Sequence, residues 1–354
     1  MQDSAIFNAQ TPRNDIMLDE ADLALLDALQ VNPRASWTLV GGVLEVDPVT
    51  AARRWARLCQ DGTAWVSASI GPREAGLLPM AFIEVRCERG ANRHVAAALA
   101  RRGNVVTVQY MAGAYDLLVI LMAADFAKMS DVLLVDIPSM DGVAQIRSHL
   151  VTRQFEATGR WRLGVLGERQ VRRLRTAHPP PSATGARPFG VTDRALFRAL
   201  SIDGRRTNAE IAEIIGLSAR TVQRRITTLM SSGEIGFRCD VARSLTGWPS
   251  AAVLWLNVPD DRLDEAGRVL GRRPEVRTCA ALADNSNLLL SVGLRSVPDL
   301  HDLLVRILRD APYARILDRS IVLRQEKLYG RILDPAGRSV EAVPVDPWAG
   351  RNDR

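Results

Sequence analysis

TNAEIAEIIGLSARTVQRRITTLMSSG, residues 207–233, decides the fold. Thr207 followed three residues on by Glu210 is a capping-box pattern, and apolar residues recur at helical spacing from Asn208 to Ile215. Gly216-Leu217-Ser218 then makes a tight turn: glycine tolerates positive φ, and the Ser218 hydroxyl can cap a further helix over Ala219–Ser231, which Ser232-Gly233 stops. Upstream, Asp193–Leu200 has the same period and ends at Gly204; downstream, Ile235–Val241 suggests a strand. Three short helices, the last two joined by a tight turn, with a strand after them, predict a winged helix-turn-helix over 191–245.

Projected at about 100° per residue, Val222, Ile226 and Leu229 share one face of the third helix, which must be the core side. Arg220, Arg224, Thr227 and Ser231 point away from it, with Gln223 on the flank. Arginine matches guanine, glutamine matches adenine, and hydroxyls match phosphate. Ser218, Arg220, Thr221, Gln223, Arg224 and Thr227 are therefore candidate contacts to double-stranded DNA. Arg225 borders the core face and suits either a structural bond or a phosphate contact.

The chain repeats itself. At an offset of 171 residues, Asp22, Leu25, Leu29, Arg34, Thr50, Arg53, Arg54, Leu58 and Gly62 fall on Asp193, Leu196, Leu200, Arg205, Thr221, Arg224, Arg225, Leu229 and Gly233, without a gap. Further on, Val105 falls on Val276 and Leu117–Leu118 on Leu288–Leu289. A constant offset across different elements implies a duplicated unit of about 140 residues, from about 18 to 155 and from about 189 to 330.

Copy one keeps the frame over 18–70 but not the chemistry. Its third helix, Pro48–Gln60, buries Ala51, Trp55 and Leu58 and turns out Val49, Arg53, Ala56 and Gln60, so Arg53 is its one charged candidate. Gly41-Gly42 weakens the second helix by about 1 kcal/mol per glycine, and Glu45 stands where the other copy has Gly216. Residues 18–70 carry four Arg against seven acids, whereas 189–241 carry eight Arg against six. Phosphate attraction dominates DNA affinity, so copy two is expected to bind the more strongly.

After each wing the order strand, helix, strand, strand, helix, strand recurs over 78–155 and 249–333. This βαββαβ order is the ferredoxin-like sandwich, two helices on one face of an antiparallel sheet. The class is α+β, two tandem units. The open face of each sheet is apolar and needs a partner, either the other copy within the chain as a built-in pseudo-dimer or a second chain in a homo-oligomer. Residues 1–17 read as a disordered tail and 334–354 as a tail. The stretch 156–190 reads as a basic linker, with a short helix over 166–175 and then an extended Pro-rich segment.

With 47% apolar and 24% charged residues the chain can build cores and is not globally disordered. No run of about 18 apolar residues suggests a membrane span, and the start lacks the apolar core of a secretory signal, so the expected location is the cytoplasm. The net charge of +6 is weak evidence for nucleic acid, because 156–190 alone hold seven Arg against two Glu. Cys59, Cys87, Cys239 and Cys279 are far apart, with no Cys-x-x-Cys pair and no histidine at ligand spacing, so neither a metal nor a cofactor is expected.

The chain resembles the Lrp/AsnC (feast/famine) family of bacterial and archaeal regulators, duplicated in one polypeptide. The resemblance rests on Asp193-x-x-Leu196, Asp203-Gly204-Arg205, Ile211-Ala212, Gly216-Leu217-Ser218, Arg224-Arg225, Leu229 and Gly233-Glu-Ile235, with Gly113-x-x-Asp116 in copy one. It implies a non-enzymatic transcriptional regulator with RAM-type sandwiches that pair, and a small effector such as an amino acid near the turn between the second and third sandwich strands. That maps onto Gly113, Tyr115 and Asp116; copy two has Asp284, Asn285 and Asn287 there, a departure from the pattern. Gly, Asp and Asn also suit a plain hairpin turn. Siroheme decarboxylases share the two-part architecture and supply an enzyme alternative, which would call for histidines beside the sheet. Only His94, His149, His178 and His301 occur, and they form no cluster in the sequence. A DNA-silent assembly subunit is the third reading.

Overall fold

The capping signals act where the sequence puts them. The computed structural model describes residues 18–156, 162–176 and 189–349; the expected tail 1–17 and most of the Pro-rich linker lie outside these. In copy one, the Asp19 carboxylate accepts from the Asp22 N–H at the start of α1 (Glu20–Val31), Ser36 caps α2 (Trp37–Leu44), and Asp47 caps α3 (Pro48–Gln60). Strand β1 (Ala64–Ile70) and a single turn, α4 (Pro72–Ala75), lead to a sandwich of β2 (Met80–Cys87), α5 (Asn92–Ala100), β3 (Val105–Ala112), β4 (Leu117–Met122), α6 (Phe126–Asp131) and β5 (Val143–Glu156). The linker helix α7 spans Glu168–Thr176.

Copy two repeats the order: α8 (Val191–Ile202), α9 (Asn208–Ile215), α10 (Ala219–Ser231), β6 (Ile235–Val241), β7 (Ser250–Asn257), α11 (Leu263–Leu270), β8 (Val276–Leu282), β9 (Leu288–Leu294), α12 (Asp299–Asp310) and β10 (Arg315–Leu328). The Thr207–Glu210 capping box forms in both directions, and Gly216 takes the left-handed conformation at φ 70°. Glu45, its counterpart, adopts the same conformation at φ 58° despite its Cβ.

The two copies are the partners that each open sheet face needs. Within a copy the strand order is β3-β4-β2-β5 or its equivalent, all antiparallel. The last strand of each copy is twice the length its own sheet uses. β5 pairs with β2 along its first half and with β8 along its second; β10 pairs likewise with β7 and then β3. Val151 lies opposite Leu282 and Val322 opposite Met111, two pairs related by the 171-residue offset. The eight strands therefore close on themselves, with no edge at either seam. Each helix pair packs outside against its own sheet, while Phe82, Leu118, Val253, Trp255, Leu289 and Val322 form an apolar cluster between the copies.

The wings pair too. β1 and β6 form an antiparallel ribbon from Ala64↔Val241 to Ile70↔Ile235, tying the two helical domains together. Arg34 and Arg205, again 171 apart, clasp each other's helix turns. Arg205 donates to the carbonyls of Pro33 (2.6 Å) and Ala35 (2.9 Å) and lies 4.0 Å over the Trp37 ring. Arg34 donates to Gly204 and lies 5.2 Å over Phe237.

The segment expected as a C-terminal tail is built into the fold as far as residue 349. β11 (Arg331–Leu333) and β12 (Ser339–Ala342) extend the sheet beyond β10. Val345 and Trp348 then enter the core of copy two's helical domain, where Trp348 stacks on Phe189 at 4.8 Å and meets Phe197 edge-on at 5.5 Å. Single apolar residues separated by Pro and Asp have no period, so their burial left no pattern to read. Part of the linker is likewise docked: Arg162 forms a bidentate pair with buried Asp27, Leu174 of α7 joins the core of copy one's helices, and Val171 is buried on the same helix.

Candidate functional site

Helix α10 is held by its apolar face, Val222, Ile226 and Leu229, all buried. Ser218 caps it, its Oγ accepting from the Thr221 N–H at 3.1 Å. Arg220, Gln223, Arg224 and Thr227 are exposed together on the opposite face, and Thr221 is half-buried beside the cap. Thr227 and Thr228 return their hydroxyls to the carbonyls of Gln223 and Arg224, which leaves the long side chains as the outward-reaching donors. Arg225 is committed inward, donating to buried Asp193 at 2.5 Å. Of the two roles its position suggested, the geometry is that of a structural bond.

Helix α3 repeats the anchor and not the face. Arg54 bonds both Asp19 and buried Asp22, and Arg57 also reaches Asp22. Arg54 and the Asp22 backbone N–H hold the Asp19 carboxyl below its ordinary range. What remains outward is Val49, 74% exposed, then Arg53 and Ala56. Beside this domain, α7 turns Arg169, Arg172, Arg173 and Arg175 to solvent, so the linker's charge sits on an ordered helix.

Gly113, Tyr115 and Asp116 do come together at the β3–β4 turn. Asp116 accepts from the Cys87 N–H at 2.8 Å, fastening the turn to β2, and Arg86 lies over the Tyr115 ring at 5.5 Å. Gly113 has φ 153°, and a Cβ there would stand 2.9 Å from Ser320 Oγ of the other copy. The cavity at this turn, bounded by Tyr115, Trp255 and Ser320, is only about 10 Å³, room for about one water. At copy two's turn, His149 of β5 fills the seam. Its Nε2 is 3.2 Å from Glu84, its Nδ1 is 2.7 Å from Asp284, and its ring packs on Trp255 at 4.4 Å. Burial acts to raise Asp284, but the Asn285 N–H and the neighbouring His149 and Arg147 hold it below its ordinary range. Sequence reading missed this cluster because Glu84, His149 and Asp284 are far apart along the chain; the 171-residue offset, which puts His149 in the place Ser320 has in the other copy, was the available clue.

A larger cavity, about 220 Å³, lies between the wing ribbon and the barrel. Trp65 and Arg238 line its wing side, and Thr278, Ser291 and Val322 its barrel side. Nothing local in the sequence marks it, since its walls come from both copies.

Comparison with known proteins places these features in context. A family model for the AsnC-type helix-turn-helix domain matches residues 18–58 and again 191–230, and one for the Lrp/AsnC ligand binding domain matches 80–161. The HTH-type transcriptional regulator LrpA of Mycobacterium tuberculosis is 34% identical over 117 residues, 32% of this chain and 78% of that protein. The leucine-responsive regulatory protein of Rhizobium meliloti is 27% identical over 139 residues, 38% of this chain and 89% of that protein. Each relative is thus matched over most of its length by 32% to 38% of this chain. Among solved structures, the siroheme decarboxylase NirDL covers 91% of this chain and 95% of its own with a TM-score of 0.59 at 15% identity, a likeness of fold. Among the described residues, no helix is long and apolar enough to cross a membrane.

Proposed function

The chain belongs to the Lrp/AsnC family of transcriptional regulators, and from that premise we propose that it is a sequence-specific DNA-binding regulator carrying both halves of a dimer in one polypeptide. The observation that carries this reading is the exposed row of Arg220, Gln223, Arg224 and Thr227 on a capped helix whose other face is fully packed. Arginine and glutamine side chains on such a face can read guanine and adenine edges in a major groove, while Ser218 and Thr221 at the helix start suit phosphate. Copy one contributes Arg53 and otherwise serves to fix the pairing. A small effector, such as an amino acid, would act through the sandwiches by shifting the population of arrangements of the two helical domains. To take it at Gly113–Asp116, Trp255 would have to withdraw from the turn.

The test is a salt-titrated binding assay with DNA from upstream of the protein's own gene, using wild type and an Arg220→Ala/Arg224→Ala variant. Tight, steeply salt-dependent binding by wild type and loss of preference in the variant support the proposal. Equal, sequence-blind binding by both removes it and leaves the enzyme and assembly-subunit readings.

A further inference from the structure

The duplication supplies an internal control for the cavity beneath the wing ribbon. In copy one the corresponding place is closed: Val106 and Met122 pack with Leu78 against the helical core that Trp348 completes, with Ile120 between that core and the chamber. At the same offset copy two has Arg277, Ser291 and Gly293, and the space there is open, about 220 Å³. The fold does not need these residues, since the other copy does without them. Arg277 is half-buried and has protein partners of its own, so an arginine in the place of a valine is a choice the fold does not impose.

The substitutions work together. A Cβ on Gly293 would come within 2.9 Å of the Arg277 guanidinium, so the glycine makes its room. Arg277 donates to the Pro274 carbonyl and lies over the Trp248 ring at 5.5 Å. Arg243, on the same cavity, donates to Gln325. Burial, reinforced by the Arg243 cation, brings Arg277 down to about 8 against the pull of Glu275, and burial alone takes Arg243 to about 10. The two carboxylates on the wall are committed: Asp240 to Arg238, and Asp334 to the Arg338 N–H of its own turn. Two further donors on the wall, Trp65 Nε1 and Arg324 Nε, are buried without an acceptor among the described residues. The barrel-side floor is apolar, formed by Phe82, Leu118, Leu289 and Val322.

We propose that this chamber binds a small organic acid, its carboxylate between Arg243 and Arg277 and a short apolar tail on the Phe82–Leu289 floor. The wall offers donors and cations but no uncommitted carboxylate, so a ligand carrying an α-ammonium group is disfavoured. The site therefore takes a 2-oxo acid in preference to the matching amino acid. Because the wing ribbon roofs the chamber, occupancy would bear on the spacing of the helical domains; that consequence rests on the regulator reading, whereas binding itself does not.

Calorimetric titration of the full chain with 4-methyl-2-oxopentanoate, leucine and inorganic phosphate tests this in the absence of DNA, so failure here leaves the DNA reading untouched. Two variants are compared, Arg277→Met, which removes one cation, and Ser291→Ile, which fills the chamber as copy one does; thermal unfolding confirms that each folds. The expected result is saturable binding of the oxo acid, weakened by about tenfold or more in both variants, with leucine at least about tenfold weaker in wild type. Absence of oxo-acid binding overturns the proposal. So do indifference to both substitutions, leucine binding as tightly, and phosphate binding with the same dependence while the oxo acid does not bind.

Discussion

Helices α3 and α10 occupy equivalent places and agree on everything that faces inward. Ala51, Trp55 and Leu58 answer Val222, Ile226 and Leu229, and Arg54 reaches Asp22 as Arg225 reaches Asp193. On the outside they part: Val49 for Arg220, Ala52 for Gln223 and Ala56 for Thr227, with Arg53 and Arg224, and Thr50 and Thr221 beside the caps, alike. The fold asks for three buried positions and one inward arginine, and leaves the remaining surface free to keep or lose a task. The sandwiches differ in the reverse sense, for copy one is closed where copy two opens a chamber.

The largest test of this contrast is on DNA. Arg220→Ala/Arg224→Ala should weaken specific binding by about 100-fold or more, whereas Arg53→Ala should change it by less than about threefold, both read by salt-titrated binding. Equal losses would erase the division between copies. Next is the clasp. Arg205→Ala leaves two carbonyls without their donor and should lower unfolding stability by about 2–3 kcal/mol, with Arg34→Ala milder because its ring contact is longer. Denaturant unfolding that ranks them the other way would refute the asymmetry.

The seams differ as well. Lys327, fully buried on β10 with its ammonium on the Arg102 carbonyl, is brought down to about 7 by burial. An unfolded lysine keeps its proton to about pH 10.4. Between these values the unfolded chain binds more protons, so this group makes stability rise with pH, by at most about 1.4 kcal/mol per unit. Lys327→Met should flatten that slope; an unchanged slope in chemical denaturation at pH 7 to 9 would reject it. The smallest effect concerns the two tight turns. Glu45→Gly should stabilise by about 0.5–1 kcal/mol and Gly216→Ala should destabilise by a similar amount, since both positions are left-handed and only one has the residue suited to it.

Elements with a local cause were legible before the structure. The capping box at Thr207, the turn at Gly216 and the 171-residue offset all express themselves within a few residues or as a repeat. The apolar open face of each sheet announced that a partner was required. It could not announce which one, because β5–β8 and β1–β6 pairing joins segments more than 100 residues apart and leaves no local mark. The same holds for Trp348, which finds its place by shape against Phe189 and Phe197, and for the closed turn at Gly113, where Trp255 arrives from the other copy. On α10 the outward side chains were legible as a face; the commitment of Arg225 to Asp193 needed the packed first helix.

Closure of the barrel within one polypeptide changes what this pair can be. Two separate identical subunits come apart on dilution and must present the same surface twice, so whatever they recognise tends to be a palindrome. Here the halves cannot separate while the chain is folded, at any concentration. Nor need they match: a change in one half is not copied into the other. Each half has thus been free to drift alone, and on the proposed DNA-reading role a lopsided target would suit such a molecule, one strong half-site beside a permissive one.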